Sequence, residues 1–273
     1  MKKKSYLSVF ATLLAFAALM ACGDSATDTT KTEGDPNDPN YVQARAMTEG
    51  YVDSLFYVYN EASAYITFDG QSPQSTAADS SSVIFDPETC WWEVYASSDS
   101  TGYSFLLIDS VKFEDASGCQ MFPDSTTTTS IEYRLTLSLD VVEDSGYVDM
   151  TFDQGVLITG IQSEQVTLNS SGAADFGLGL VLDQGTLDFD YAYDGNVTDL
   201  VFNRDEIMAD TVAHPVSGAM DLSATMDIGS PNGAAHSTWL MHVTFFVDHY
   251  HVYAESGDNY WEWDVYYEPG PIM

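Results

Sequence analysis

Over most of the chain apolar residues recur at every second position. In IEYRLTLSLDVV, Ile131, Tyr133, Leu135, Leu137, Leu139 and Val141 share one face, opposed to Glu132, Arg134, Thr136, Ser138 and Asp140. That alternation is the signature of a half-buried strand. GTLDFDYAYDG repeats it, with Leu187, Phe189, Tyr191 and Tyr193 against Asp188 and Asp190. NYWEWDVYYE does so again, with Trp261, Trp263, Val265 and Tyr267 against Glu262 and Asp264. Turn residues stand between such runs: Asp144-Ser145-Gly146, Asp183-Gln184-Gly185, Asp194-Gly195-Asn196 and Ser256-Gly257-Asp258. Short turns make neighbouring strands antiparallel, and one apolar face with one wet face is how antiparallel sheets read. The template predicts about ten to twelve strands, more than one flat sheet holds without curling or splitting. The expected fold is mainly β, a large antiparallel meander forming a β-sandwich or a curled half-barrel.

Ahead of the strands the period is longer. Met47, Tyr51, Leu55, Val58 and Ala62 recur at spacings of three and four, and Asp38-Pro39 supplies an N-cap and a first-turn proline. This predicts one amphipathic helix over residues 39–62, packed on the apolar face of the sheet, with Gly50 a mild cost inside it. Before it, GDSATDTTKTEGDPND has no aromatic residue and no aliphatic one larger than Ala. Residues 23–38 therefore read as a disordered acidic tether, able to extend by about 3.3–3.6 Å per residue.

The N-terminus has a different character. Lys2, Lys3 and Lys4 precede an uncharged run from Leu7 to Met20, the order of a secretory signal. The run is shorter than the roughly 20 residues a spanning helix needs. It closes on Leu19-Met20-Ala21-Cys22, which resembles the lipobox of bacterial lipoproteins, although Met20 replaces the small or β-branched residue usual there. The resemblance implies cleavage after Ala21, acylation of Cys22, and membrane attachment through that lipid. Several acyl chains anchor stably where one is marginal. In the family an Asp after the Cys retains the protein at the inner membrane. Gly23 stands here instead, which points to the outer membrane and leaves the leaflet open. The organisation expected is a signal peptide at 1–21, the lipidated Cys22 and tether at 22–38, and a single β-rich domain at 39–273.

The formal net charge is −34, and removing the leader with its three lysines leaves five basic residues against 42 acidic ones, or −37. Such a charge excludes nucleic acid as a partner, since phosphates need a basic patch. It chiefly keeps a protein soluble. Hydrophobic residues at 45% rule out general disorder, and a chain of this size buries roughly 70–75% of its unfolded surface.

Few residues carry distinctive chemistry. Cys90 and Cys119 remain after the anchor, and in an oxidising compartment an even remainder reads as a disulfide, worth about 3–4 kcal/mol in the chain-entropy model. In HVTFFVDHYH, His249 and His251 share a strand face, and a reversal near Val247-Asp248 brings His242 diagonally beside His251. Three imidazoles in that arrangement are a candidate metal site; a half-exposed surface hairpin is the simpler reading, because no HExxH spacing accompanies them. Asp188, Asp190, Asp194 and Asn196 offer oxygens to calcium, but their spacing departs from the DxDxDG loop. Trp261 and Trp263 fall on the apolar face, whereas adjacent Trp91 and Trp92 point to opposite faces, so one of them is a candidate exposed aromatic.

There is no GxSxG, P-loop, GxGxxG or SxxK. No cofactor is implied beyond the lipid on Cys22, and with 42 acids any pair is uninformative about glycosidase chemistry. The reading is a lipid-anchored envelope protein with a non-enzymatic binding role for an apolar ligand or lipid. Its alternatives are a surface interaction or adhesion module and a hydrolase of glycans. A curled sheet with a helix lid is similar in element order to periplasmic lipid carriers of the lipoprotein-localisation type.

Overall fold

The computed structural model describes residues 32–67, 82–124, 126–182, 185–208, 213–231 and 233–267. The leader, Cys22, most of the tether and the Asp183-Gln184 turn lie outside these residues, as do the side chains of Val58 and Ala62. The alternating segments become thirteen strands of one sheet. In chain order the elements are β1 (Thr32–Glu33), α1 (Pro39–Thr67), β2 (Ser82–Asp86), β3 (Trp91–Ser100), β4 (Tyr103–Asp115), β5 (Gly118–Gln120), β6 (Thr128–Glu143) and β7 (Gly146–Thr159). There follow β8 (Gln165–Leu182), β9 (Gly185–Asn203), α2 (Arg204–Met208), β10 (Pro215–Ser230), β11 (Gly233–Phe245), β12 (His249–Ser256) and β13 (Asn259–Tyr266).

The spatial order is β1-β13-β12-β11-β10-β9-β8-β7-β6-β4-β3-β2, with β5 on β4. Every pairing is antiparallel except β1 with β13. The choice between sandwich and half-barrel resolves into one continuous sheet that does not close. The helix α1 packs against this sheet. Tyr51 meets Tyr193 on β9 at 5.6 Å, and Tyr41 meets Trp263 on β13 at 5.4 Å. These contacts place α1 over the five strands from β9 to β13.

The helix starts where its cap predicts, with the Asn40 N–H donating to Asp38 Oδ1 at 2.8 Å. It runs five residues past the expected end, to Thr67. Its inward face is Gln43, Ala44, Thr48, Tyr51, Val52 and Leu55. Thr48 in that face donates its hydroxyl to the Ala44 carbonyl at 2.8 Å and lies 3.2 Å from Met241 Sδ, so the buried polar atom is satisfied. Within the span read as tether, Thr32 and Glu33 pair with Asn259 and Tyr260, and the Trp261 indole donates to the Asp35 carbonyl.

One expected turn is absent. Asp194-Gly195-Asn196 lies extended in the middle of β9, paired with Ser223, Leu222 and Asp221. Gly195 serves there as a seat for the helix: a Cβ on it would stand 2.7 Å from the Tyr51 hydroxyl. Asp153-Gln154-Gly155, the same tripeptide as Asp183-Gln184-Gly185, is interior to β7.

The Cys90–Cys119 disulfide is present, with Cα atoms 5.8 Å apart, joining the start of β3 to β5. Beside it Trp92 is buried between Phe85 and Phe122 and donates to the Met121 carbonyl at 2.6 Å. Trp91 lies on the opposite face, half-buried, with the Arg134 guanidinium 4.6 Å from its ring centroid, so the less buried member of the pair is still partly covered.

Candidate functional site

Strand register sorts the molecule's side chains into two surfaces. The inner face carries the core. Across β4, β6, β7, β8 and β9 one row reads Phe113, Ile131, Ile158, Leu168 and Leu200, all with no solvent exposure. Over β10 to β13 the core continues through Met220, Val243, Val252 and Trp263 to α1. The interface between helix and sheet is filled: Val52, Leu55, Trp239 and Met241 are at most 2% exposed.

Toward the hairpin turns at Glu143–Gly146 and Leu182–Gly185 the same face changes. A row of Asp109, Leu135, Gln154, Gly172 and Gly195 crosses five strands and interrupts the apolar pattern. Gln154 Nε2 donates to Ser170 Oγ at 3.4 Å, and Ser170 Oγ donates to the Gly155 carbonyl at 2.9 Å. Beyond that row lie three apolar rows across β4, β6, β7 and β8: Leu107-Leu137-Phe152-Ala174, Phe105-Leu139-Met150-Phe176, and Tyr103-Val141-Val148-Leu178. Nearly all of these side chains are only half-buried, and apart from neighbouring Phe189 and Tyr191 this panel stands outside the packed core. It measures roughly 14 Å along the strands by 14 Å across them. This contiguous, half-exposed apolar block is the candidate ligand or partner surface.

The panel's border on β9 is phenolic. Burial pushes the hydroxyls of Tyr191 and Tyr193 far above the ordinary tyrosine range. Tyr51 rises to about 12, through burial and the negative charge of Asp194. These groups stay neutral hydrogen-bond donors over the whole physiological range.

The outer face is polar. Between β9 and β12 it holds a depression of about 390 Å³ lined by Asp194, Asn196, Asp221, Ser223, Leu240, His242, Tyr253 and Glu255. Two sets of residues that the sequence keeps apart meet in it: His242 from the histidine cluster, and Asp194 with Asn196 from the oxygen-donor set. Asp188 lies about 20 Å from Asp194 along β9, at 3.4 Å per residue, so the four oxygen donors do not converge.

The hairpin reverses where expected, and His251 pairs with Thr244, diagonal to His242. Each imidazole then meets its own carboxylate through Nδ1: His242 with Asp221 at 2.7 Å, His249 with Asp248 at 2.7 Å, His251 with Asp264 at 2.8 Å. His249 stacks on Phe246 at 4.7 Å and lowers the Asp248 carboxyl by hydrogen bonding. Among the described residues no group of three His, Cys, Asp or Glu side chains is arranged to hold a metal ion.

The panel is the surface that residue patterns alone do not reveal, because its alternation matches that of the core. Its only sequence trace is a polar residue in apolar register, Asp109 within Phe105-Leu107-Asp109-Val111 and Gln154 within Phe152-Gln154-Val156. No protein-family model, curated protein or solved structure matches the chain.

Proposed function

We propose that this protein is a lipid-anchored, non-enzymatic binding protein of the cell envelope that holds an apolar ligand on the uncovered inner panel of β4, β6, β7 and β8. The observation that supports it is the contrast within one sheet face: the rows under the core are sealed, and the three rows beyond Gln154 are apolar yet half-exposed. A ligand laid across Leu137, Phe152, Met150 and Phe176 gains about 25 cal/mol for each Å² of apolar surface removed from water. Anchorage is assigned to Cys22 on the lipobox resemblance. Among the described residues no helix is long and apolar enough to cross a membrane.

Native mass spectrometry of the chain from residue 23, purified without detergent from its own host, tests the reading. A bound apolar mass that disappears on organic extraction, and that is missing from a Leu137→Thr/Phe176→Thr variant, is the expected result. A bare mass in every preparation counts against it. A second reading, a surface interaction module, draws on the outer edge of the sheet, where Phe246 and Tyr266 are 42% and 66% exposed beside His249. It predicts a bare mass and a partner lost on Tyr266→Ser substitution.

A further inference from the structure

We infer that the ligand of the inner panel is an acyl lipid with a zwitterionic headgroup, drawn from the same bilayer in which Cys22 is anchored. This rests on the apolar-ligand reading above and on acylation of Cys22, and adds the source and the headgroup class. Three observations carry it.

The first is the direction from which the chain arrives. β1 runs parallel to β13, with Thr32 opposite Asn259 and Glu33 opposite Tyr260. Since β13 leads away from the Gly257–Asp258 turn, β1 begins at the end of the sheet where that turn lies. Antiparallel pairing places the β3–β4, β6–β7, β8–β9 and β10–β11 turns at the same end of the sheet. Ten residue steps lead from Cys22 to Thr32, which limits their distance to about 36 Å. The tether therefore holds Cys22 within about 36 Å of the hairpin end, which is the end of the sheet nearest the anchor.

The second is where the panel lies. Its three rows occupy the stretch between the Gln154 row and those turns, while the sealed core occupies the far end. An acyl tail leaving the bilayer reaches apolar surface first, with no polar row to cross.

The third is charge. The turns SSDSTGY, EDSGY and ESGDN carry Asp99, Glu143, Asp144, Glu255 and Asp258 and no Lys or Arg. A rim of this sign repels anionic headgroups and attracts the positive charge of an ammonium.

The test uses the full chain acylated at Cys22, reconstituted into phosphatidylethanolamine and phosphatidylcholine vesicles with a trace of phosphatidylcholine carrying a diazirine in its acyl tail. After illumination, label is expected on peptides holding Leu137, Met150 and Phe176, at least ten-fold above the β10–β11 peptides. It should be several-fold weaker when the diazirine tail is carried by phosphatidylglycerol at the same trace level in the same vesicles, and weaker in the Leu137→Thr/Phe176→Thr variant. In parallel, the unacylated Cys22→Ser chain is photolabelled with a diazirine fatty acid in solution. Panel labelling in solution without labelling from the vesicle overturns the bilayer source and leaves the apolar-ligand reading standing. Labelling in neither overturns both, and equal labelling by the phosphatidylglycerol and phosphatidylcholine probes overturns the headgroup assignment.

Discussion

The sealed end and the panel end of the inner face are built from the same four strands with the same alternation. Ile131 and Ile158 have no exposure; Leu139 and Met150, eight residues along the same two strands, are half-buried. The residue types do not differ in hydrophobicity. What differs is the packing: Ile131 and Ile158 belong to the core cluster, and among the described residues Leu139 and Met150 do not. An alternating pattern thus specifies that a strand has an apolar face, and the third dimension decides what that face meets.

Alkali should break the covered side first and most completely. Burial holds the Tyr51, Tyr191, Tyr193, Tyr250 and Tyr267 phenols above the ordinary range. For such raised groups the stabilisation is fully present below the ordinary tyrosine value of about 10 and is lost as pH climbs through the folded values. Tyrosinate absorbance should therefore show these phenols ionising together with loss of near-ultraviolet dichroism, at about pH 12 and above. Their independent, reversible ionisation in the folded protein at pH 10 would contradict the packing.

Truncation separates the two ends next. Trp239→Ala, beneath α1, should cost about 3–5 kcal/mol in denaturant unfolding. Phe152→Ala on the panel should cost less than about 1 kcal/mol and act instead on ligand retention. Equal losses at the two sites would mean that the panel is covered in solution. Removing the disulfide with Cys90→Ala and Cys119→Ala should cost about 3 kcal/mol, read as a lower midpoint of thermal unfolding. Smaller again is the effect at the helix seat: Gly195→Ala should cost about 1–3 kcal/mol by pushing Tyr51 outward, and a Tyr51→Ala background should abolish most of that difference. That double-mutant comparison tests the seat directly.

The legible parts of the molecule are the ones controlled by near neighbours in the chain. The faces of β6, β9 and β13, the Asp38 cap, the reversal after Phe245 and the opposite fates of Trp91 and Trp92 all follow from local period and turn chemistry. The misread Asp194-Gly195-Asn196 shows the limit. A glycine flanked by Asp and Asn has turn chemistry, yet here it lies in a strand because Tyr51, far away in sequence, needs a position without a Cβ. Gln154 and Asp109 are similar, since each looks like an isolated polar exception until register places both in one row.

By itself, the amino-acid sequence determined that this protein is a β-rich chain with one leading helix and one disulfide pair, because backbone period, capping and cysteine count are short-range properties. Tertiary structure alone decided that thirteen strands form a single open sheet, that α1 covers only part of it, and that His242 shares a depression with Asp194. Those outcomes depend on strand order and register, which bring together residues that no local pattern connects.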